Sequence, residues 1–228
     1  MLDSAAVARS ALRLLARMEG RSGTAFPMGT PRLSDLTATL AEARVDGDGD
    51  PRIRDVTYRS GEARPGALFF AVPGSRTDGH DHVAEAAGRG AVAAIVERPV
   101  KAPLLQMVVP SVRRAMGPVS AAFFGRPADR MTLLGVTGTN GKTTTTYLLE
   151  SILRAAGVSP GLVGTTGVRI AGRAVPQART TPEAPDLHRL FRRMADEGVG
   201  GVAMEVSSHG LDQHRVDGVR FDCAVFTR

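Results

Sequence analysis

Three glycines, a lysine and four threonines fall together in Gly135-Val-Thr-Gly-Thr-Asn-Gly-Lys-Thr-Thr144, behind a short apolar stretch and ahead of a helical one. Strand, glycine turn and helix start in that order are the context a phosphate-binding loop requires. A triphosphate must meet several backbone N–H groups at close range. Gly138 and Gly141 permit that approach and the positive φ it needs, and the helix N-terminus adds partial positive charge. In such a loop Lys142 reaches the β- and γ-phosphates, and the Thr143 hydroxyl serves Mg²⁺. The spacing is not the common Gly-x-x-x-x-Gly-Lys-Thr, because the residue five before Gly141 is Val136. Only two lysines occur in the chain, Lys101 and Lys142, and one of them sits here.

A second group lies downstream in Met204-Glu-Val-Ser-Ser-His-Gly-Leu211. Glu205 ends an apolar strand expected in the same sheet as the loop. Ligands of open parallel sheets bind outside the carboxyl ends of strands, so Glu205 can face the same crevice and hold Mg²⁺ directly or through water. Taken alone, it would equally be a solvated strand-end residue. Arg179-Thr-Thr-Pro-Glu183 places two hydroxyls before a helix, which suits an anionic ligand or simple capping by Thr181.

The elements that must hold these residues follow from periodicity. Met1 to about Pro31 reads as an Ala/Arg-rich helix and a Gly/Ser/Pro loop, an extension rather than core. From Arg32, strands are expected over Arg52–Thr57, Ala67–Val72, Ala91–Val96 and Leu104–Val109, with helices over His82–Gly88 and Ser111–Phe124. Gly125–Arg130, with Pro127, reads as a linker. Beyond it, strands are expected at Thr132–Thr137, Gly161–Gly164, Gly201–Val206 and Cys223–Thr227. Helices are expected over Thr143–Ala156, with Leu148, Leu149, Ile152 and Leu153 as its apolar face, and over Asp186–Glu197. Strand–helix alternation predicts an α/β protein with a parallel sheet covered on both faces.

Composition narrows the class. Among 228 residues, 43% are hydrophobic and 23% charged, as in ordinary soluble domains. No unbroken apolar run long enough to span a bilayer occurs, and the N-terminus lacks a secretory pattern. The net charge of +6 is scattered and almost wholly arginine, and aromatics are only 4%, so no base-stacking surface is expected. The single Cys223 excludes an internal disulfide and fits a reduced cytoplasmic setting. His80, His82 and His188 read as surface or core residues, and Met194 and Met204 as core filler.

Four runs in order carry a resemblance: Thr137–Thr144, Gly164-Thr-Thr166, Thr180-Thr-Pro-Glu183, and Glu205–Leu211 followed by His214-Arg-Val216. Together with Arg64-Pro-Gly-Ala-Leu-Phe-Phe-Ala71, Asp78-Gly-His80 and Gly90-Ala91, they resemble the Mur ligases of bacterial cell-wall synthesis over Arg32 to Arg228. The Glu-Val-Ser-Ser-His-Gly-Leu run favours the MurE branch over MurF. The resemblance implies an extension over 1–31, a small UDP-binding α/β domain over 32–126, and an incomplete P-loop, parallel-sheet ATP-binding domain over 127–228. It implies that Gly138, Thr139, Asn140, Gly141, Lys142, Thr143 and Thr144 bind ATP, with Lys142 and Glu205 catalytic and Thr143 and Glu205 placing Mg²⁺. Ser60, Thr180, Thr181, Ser207, Gln213 and Arg215 would contact a UDP-MurNAc-L-Ala-D-Glu substrate. The implied reaction joins a diamino acid, meso-diaminopimelate or L-lysine, to that substrate through an acyl phosphate, in a cytoplasmic monomer without nucleic-acid or membrane partners. Two departures stand out. Arg59-Ser60-Gly61 replaces the family's Asp-Ser-Arg, and the family's Asp-His segment, carbamylated lysine and third domain are missing. The expectation is therefore a chain that is inactive alone, the alternatives being MurF or a non-catalytic nucleotide- or UDP-sugar-binding remnant.

Overall fold

The computed structural model describes residues 29–74, 77–175 and 179–228. Most of the expected N-terminal extension lies outside them. The described residues form two compact units that part between Gly125 and Arg126.

The first unit holds α1 (Leu33–Thr37), β1 (Arg44–Asp46), β2 (Asp55–Thr57), β3 (Ala67–Phe70), α2 (Val83–Gly88), β4 (Ala93–Val96), β5 (Leu105–Val108) and α3 (Val112–Phe123). Its sheet runs β1-β5-β4-β3-β2, parallel throughout except for β1, which pairs antiparallel with β5. β3 and β4 are buried at every position, which is why they are legible as continuous apolar runs. In α3, Val112, Ala115, Met116 and Val119 recur at helical spacing on the buried face, and the Ser111 hydroxyl accepts the Arg114 N–H as N-cap. The strand expected over Arg52–Thr57 is shorter. Arg52 makes only an isolated bridge to Arg32, and ladder pairing starts at Asp55. β1 carried no signal because all three of its residues are exposed.

The second unit holds β6 (Thr132–Gly138), α4 (Lys142–Ala155), β7 (Pro160–Gly164), β8 (Gly167–Ile170), β9 (Arg173–Val175), α5 (Ala184–Asp196), β10 (Gly201–Glu205), α6 (Ser208–Asp212) and β11 (Cys223–Thr227). Strand order is β11-β6-β10-β7-β8-β9. The first four strands are parallel. β8 and β9 continue the sheet antiparallel. This hairpin went unread because its two-residue turn is Ala171-Gly172. Both have positive φ, 48° and 81°, as a twist-matched tight turn demands, yet alanine gives no warning of it. Side chains alternate across the sheet. Leu133, Val163, Val202 and Met204 meet Leu187, Phe191 and Met194 of α5 in one core. On the opposite face Leu153 of α4 lies against Gly201, whose absent Cβ would come within 2.8 Å of it.

Two expectations are corrected. Pro127–Arg130 is not linker: it forms a 3-10 turn, with Pro127 and Ala128 buried and Ala128 in the second core. The inward face of α4 is Thr146, Glu150 and Leu153, whereas Leu148 and Ile152 are 60% and 62% exposed. The strand–turn–helix geometry fixes which side of α4 meets the sheet, and it overrides the apolar pattern. Glu150 is accommodated there because Arg154 and Arg169 donate to its two oxygens.

Among the described residues, no helix is long and apolar enough to cross a membrane. Cys223 is exposed and free. Met194 and Met204 are fully buried.

Candidate functional site

The site is built at the carboxyl ends of β6, β10 and β7, which lie side by side in that order. From β6 the chain turns through Gly138, at φ 132°, and Gly141, at φ 80°, into α4. Thr139, Asn140 and Gly141 are exposed. As the first residues of a helix, Gly141, Lys142, Thr143 and Thr144 have no carbonyl one turn back for their N–H groups; the first such bond is Thr145 N–H to Gly141 O, at 2.9 Å. The amide of Asn140 is engaged differently, donating to the Arg228 carbonyl at 2.6 Å. Lys142 arches over the turn, its ammonium donating to Gly138 O at 2.7 Å and Thr139 O at 3.2 Å.

Glu205 ends β10 and is only 1% exposed. The Thr143 hydroxyl donates to its Oε1 at 2.9 Å. Thr165, just past β7, donates its N–H to Oε1 and its hydroxyl to Oε2, each at 3.0 Å. Gly164 makes room for the carboxylate, since a Cβ there would stand 2.4 Å from Oε1. Of a carboxylate's roughly four acceptor directions, three are filled. Because its hydrogen points at Glu205, Thr143 keeps its oxygen lone pairs for a cation.

This donor set fits Mg²⁺. Among the described residues there is no cluster of three or more His, Cys, Asp or Glu side chains to cage a metal. One carboxylate and one hydroxyl beside an open helix start match an ion that takes most of its ligands from water and phosphates.

The Thr-Thr-Pro-Glu segment is joined to the same residue. Thr181, 1% exposed, donates its hydroxyl to the main-chain carbonyl of Glu205 at 3.1 Å and accepts the Ser207 N–H at 3.1 Å. It is not the helix cap, a position held by Glu183 without a side-chain bond. Thr180 contacts the Thr165 hydroxyl at 3.0 Å. Since Thr165 donates to Glu205, Thr180 is the donor in that contact, which leaves it lone pairs to offer. Ser207 caps α6 by accepting the Gly210 N–H at 3.0 Å. Arg215 donates to Thr181 O at 3.2 Å and pairs with buried Glu183 at 3.1 Å; Arg179 bonds the same Glu183 oxygen. Gln213 stands apart, its amide donating to neighbouring Asp212 at 3.0 Å.

Ser60 lies in the first unit, on a 3-10 turn, and bonds Glu85; that hydroxyl is the chief reason the Glu85 carboxyl sits below its usual range. Nearby in sequence, His80 is buried between Asp78 Oδ1, at 2.6 Å, and the Glu97 N–H, at 2.8 Å, while Arg98 donates to Asp78 Oδ2 at 2.6 Å. Gly164 and Thr165 were named in the sequence only as part of a resembling run, without a role at the site. Their only signal was the Gly-Thr-Thr run itself. Thr165 also borders a cavity of about 540 Å³ with Tyr147, Thr166 and Arg169, where Tyr147 bonds Thr166 at 2.9 Å and Arg169 lies over its ring.

Known proteins place this arrangement. Residues 52–123 match the model described as Mur ligase family, catalytic domain, and residues 136–228 the Mur ligase middle domain. A UDP-N-acetylmuramoyl-L-alanyl-D-glutamate--2,6-diaminopimelate ligase of Geobacillus thermodenitrificans is 48% identical over 196 residues, covering 86% of this chain and 40% of that protein. A solved structure of a ligase of the same name superposes with a TM-score of 0.68 at 28% identity, covering 77% of this chain and 36% of the other. A MurF ligase from Thermotoga maritima, solved in complex with ADP, gives a TM-score of 0.51 at 27% identity over 76% of this chain and 37% of the other. The chain thus spans about 40% of the length of the curated relatives it matches. With two models of one family matched in order along it and the loop, carboxylate and threonines gathered at one sheet edge, the chain belongs to the Mur ligase family.

Proposed function

We propose that residues 127–228 bind Mg·ATP at the Gly138–Thr144 turn, as part of a ligase that adds a diamino acid to UDP-MurNAc-L-Ala-D-Glu in the cytoplasm. The observation that carries this is the Thr143–Glu205 hydrogen bond at 2.9 Å, which joins the helix start to a buried carboxylate at the end of the neighbouring strand. The relatives' names supply the substrate class, and 48% identity to a diaminopimelate ligase favours that amino acid over the dipeptide substrate of MurF-type enzymes.

In this reading the free N–H groups of Gly141 to Thr144 and the Lys142 ammonium receive the terminal phosphates, and Asn140 contributes through its side chain rather than its amide. Bound Mg²⁺ would neutralise phosphate charge as the phosphoryl group passes to the substrate carboxylate. Thr143 would give it a lone pair and Glu205 an anionic oxygen. Arg215 and Thr181 hold the Thr-Thr-Pro-Glu segment in place, so that Thr180 and Ser207 present oxygen acceptors suited to N–H groups of a peptidyl substrate. Residues 32–126 take the uridine end, with Ser60 and its turn as the contact. Positioning and charge neutralisation dominate such transfer.

Calorimetric titration of the folded chain with Mg·ATP tests the reading. Binding that weakens about tenfold or more in Lys142→Ala, the equivalent of about 1.4 kcal/mol, is expected. Absence of binding by the wild-type chain, or an unchanged affinity in the variant, refutes it.

A further inference from the structure

Resting on that magnesium–nucleotide reading, we propose that Thr165 is the positioning residue that aims the Glu205 carboxylate. A buried Glu on a strand end still has a soft terminal torsion, broad and two-fold rather than staggered. Something must decide which way its second oxygen faces. Thr143 cannot, because it touches Oε1 alone. Thr165 grips both oxygens, Oε1 through its N–H and Oε2 through its hydroxyl, each at 3.0 Å. Two bonds from one residue to the two ends of a carboxylate fix its plane. The single remaining acceptor direction lies on Oε2, so the Thr165 hydroxyl sets where a cation or its water finds a lone pair.

Two further contacts support this assignment. The Cβ that Gly164 lacks would stand 3.0 Å from the Glu205 carboxyl carbon and 2.4 Å from Oε1, so the carboxylate is seated directly on the strand that leads into Thr165. The Thr165 hydroxyl oxygen in turn contacts Thr180 at 3.0 Å. Its hydrogen belongs to Glu205, so it receives one from Thr180, and the hydroxyl cannot swing away without breaking both links. Thr165 itself is exposed, and its side chain holds no core together. Its removal would disturb the carboxylate and leave packing intact.

The test titrates Mg²⁺ against the chain and a fluorescent ATP analogue, with binding in EDTA as the control for a folded loop. Wild-type chain should bind more tightly as Mg²⁺ rises, and Glu205→Gln should lose that response. Thr165→Val should need about tenfold more Mg²⁺ for the half-maximal response, the usual cost of removing a partner of a metal ligand. Its EDTA affinity should stay unchanged, and Thr165→Ser should restore the wild-type curve. Thr165→Ala replaces the valine variant should a branched apolar side chain disturb the turn. A wild-type magnesium response in both Thr165→Val and Thr165→Ala, with Glu205→Gln still defective, overturns the role of Thr165 and leaves the metal site standing. A normal response in Glu205→Gln removes the metal site and this assignment with it.

Discussion

Thr181 donates its hydroxyl hydrogen to the main-chain carbonyl of Glu205, across 24 positions of sequence, at 3.1 Å. The bond ties the segment before α5 to the end of β10, and the Ser207 N–H closes the link from the other side at 3.1 Å. A hydroxyl so placed organises the site and is not displayed to solvent.

Thr181→Val keeps the shape of the side chain and deletes its polar atom. It leaves the Glu205 carbonyl and the Ser207 N–H without this partner, at a cost of about 1–3 kcal/mol. Urea unfolding monitored by circular dichroism should show the midpoint falling. An unchanged midpoint would mean the hydroxyl is dispensable.

Gly164→Ala should act on the carboxylate. The new methyl would stand 2.4 Å from Glu205 Oε1, so the side chain must rotate off Thr143 or β7 must shift. Either adjustment costs about 1–3 kcal/mol, and magnesium-dependent nucleotide binding should weaken while Lys142 is untouched. Wild-type magnesium dependence in this variant would show that the carboxylate has more freedom than its contacts imply.

His188 predicts a pH dependence. It is fully buried against Phe191, and neither ring nitrogen has a hydrogen bond of good geometry. Burial pushes its pKa down to about 4; the Asp217 backbone pulls slightly the other way, and the charge of Arg126 adds to the lowering. In the unfolded chain the imidazole titrates near 6.5. Between these values the unfolded state binds the proton and the folded state does not. Stability is therefore complete above about pH 6.5 and falls as acid is added, by up to about 3 kcal/mol near pH 4. His188→Phe should flatten that limb of a stability–pH curve. A slope that persists unchanged would assign the acid sensitivity elsewhere.

Asp78 is expected to anchor the first unit. It accepts the backbone N–H of His80, the His80 ring and the Arg98 guanidinium. Those donors, Arg98 foremost, hold its carboxyl far below the usual range. Asp78→Ala leaves buried His80 without its carboxylate, and thermal unfolding of the first unit should come earlier, by the equivalent of about 1–3 kcal/mol. No change in its transition would show that Glu97 alone holds the ring.

The Gly138–Thr144 turn was legible because its pattern is local. Glycines, lysine and threonines adjoin one another, and the flanking apolar runs declare a strand and a helix. Glu205 was legible as a strand end. What could not be read was the company it keeps: Thr165 and Gly164 reach it only because β7 lies beside β10 in the sheet, and strand order is not written in periodicity. The misread face of α4 has the same origin. Leu148 and Ile152 satisfy the helical pattern, yet the sheet receives Thr146 and Glu150, since Lys142 and Thr143 must start the helix at the turn. Arg215 was singled out for a ligand on its motif alone. In the fold it also braces Glu183 and the Thr181 carbonyl, a structural task that residue type does not reveal.

Gly138 has a consequence for the order in which this protein matures. A Cβ on it would lie 2.0 Å from the carbonyl oxygen of Thr227, and the Thr227 hydroxyl bonds Thr137 O across 90 positions of chain. The turn between β6 and α4 is thus clamped by a strand that lies far downstream of it in the chain. During synthesis from the N-terminus, β6 and α4 emerge well before the strand that braces the turn between them. Nucleotide affinity should therefore arise late, when β11 docks, as a non-local event.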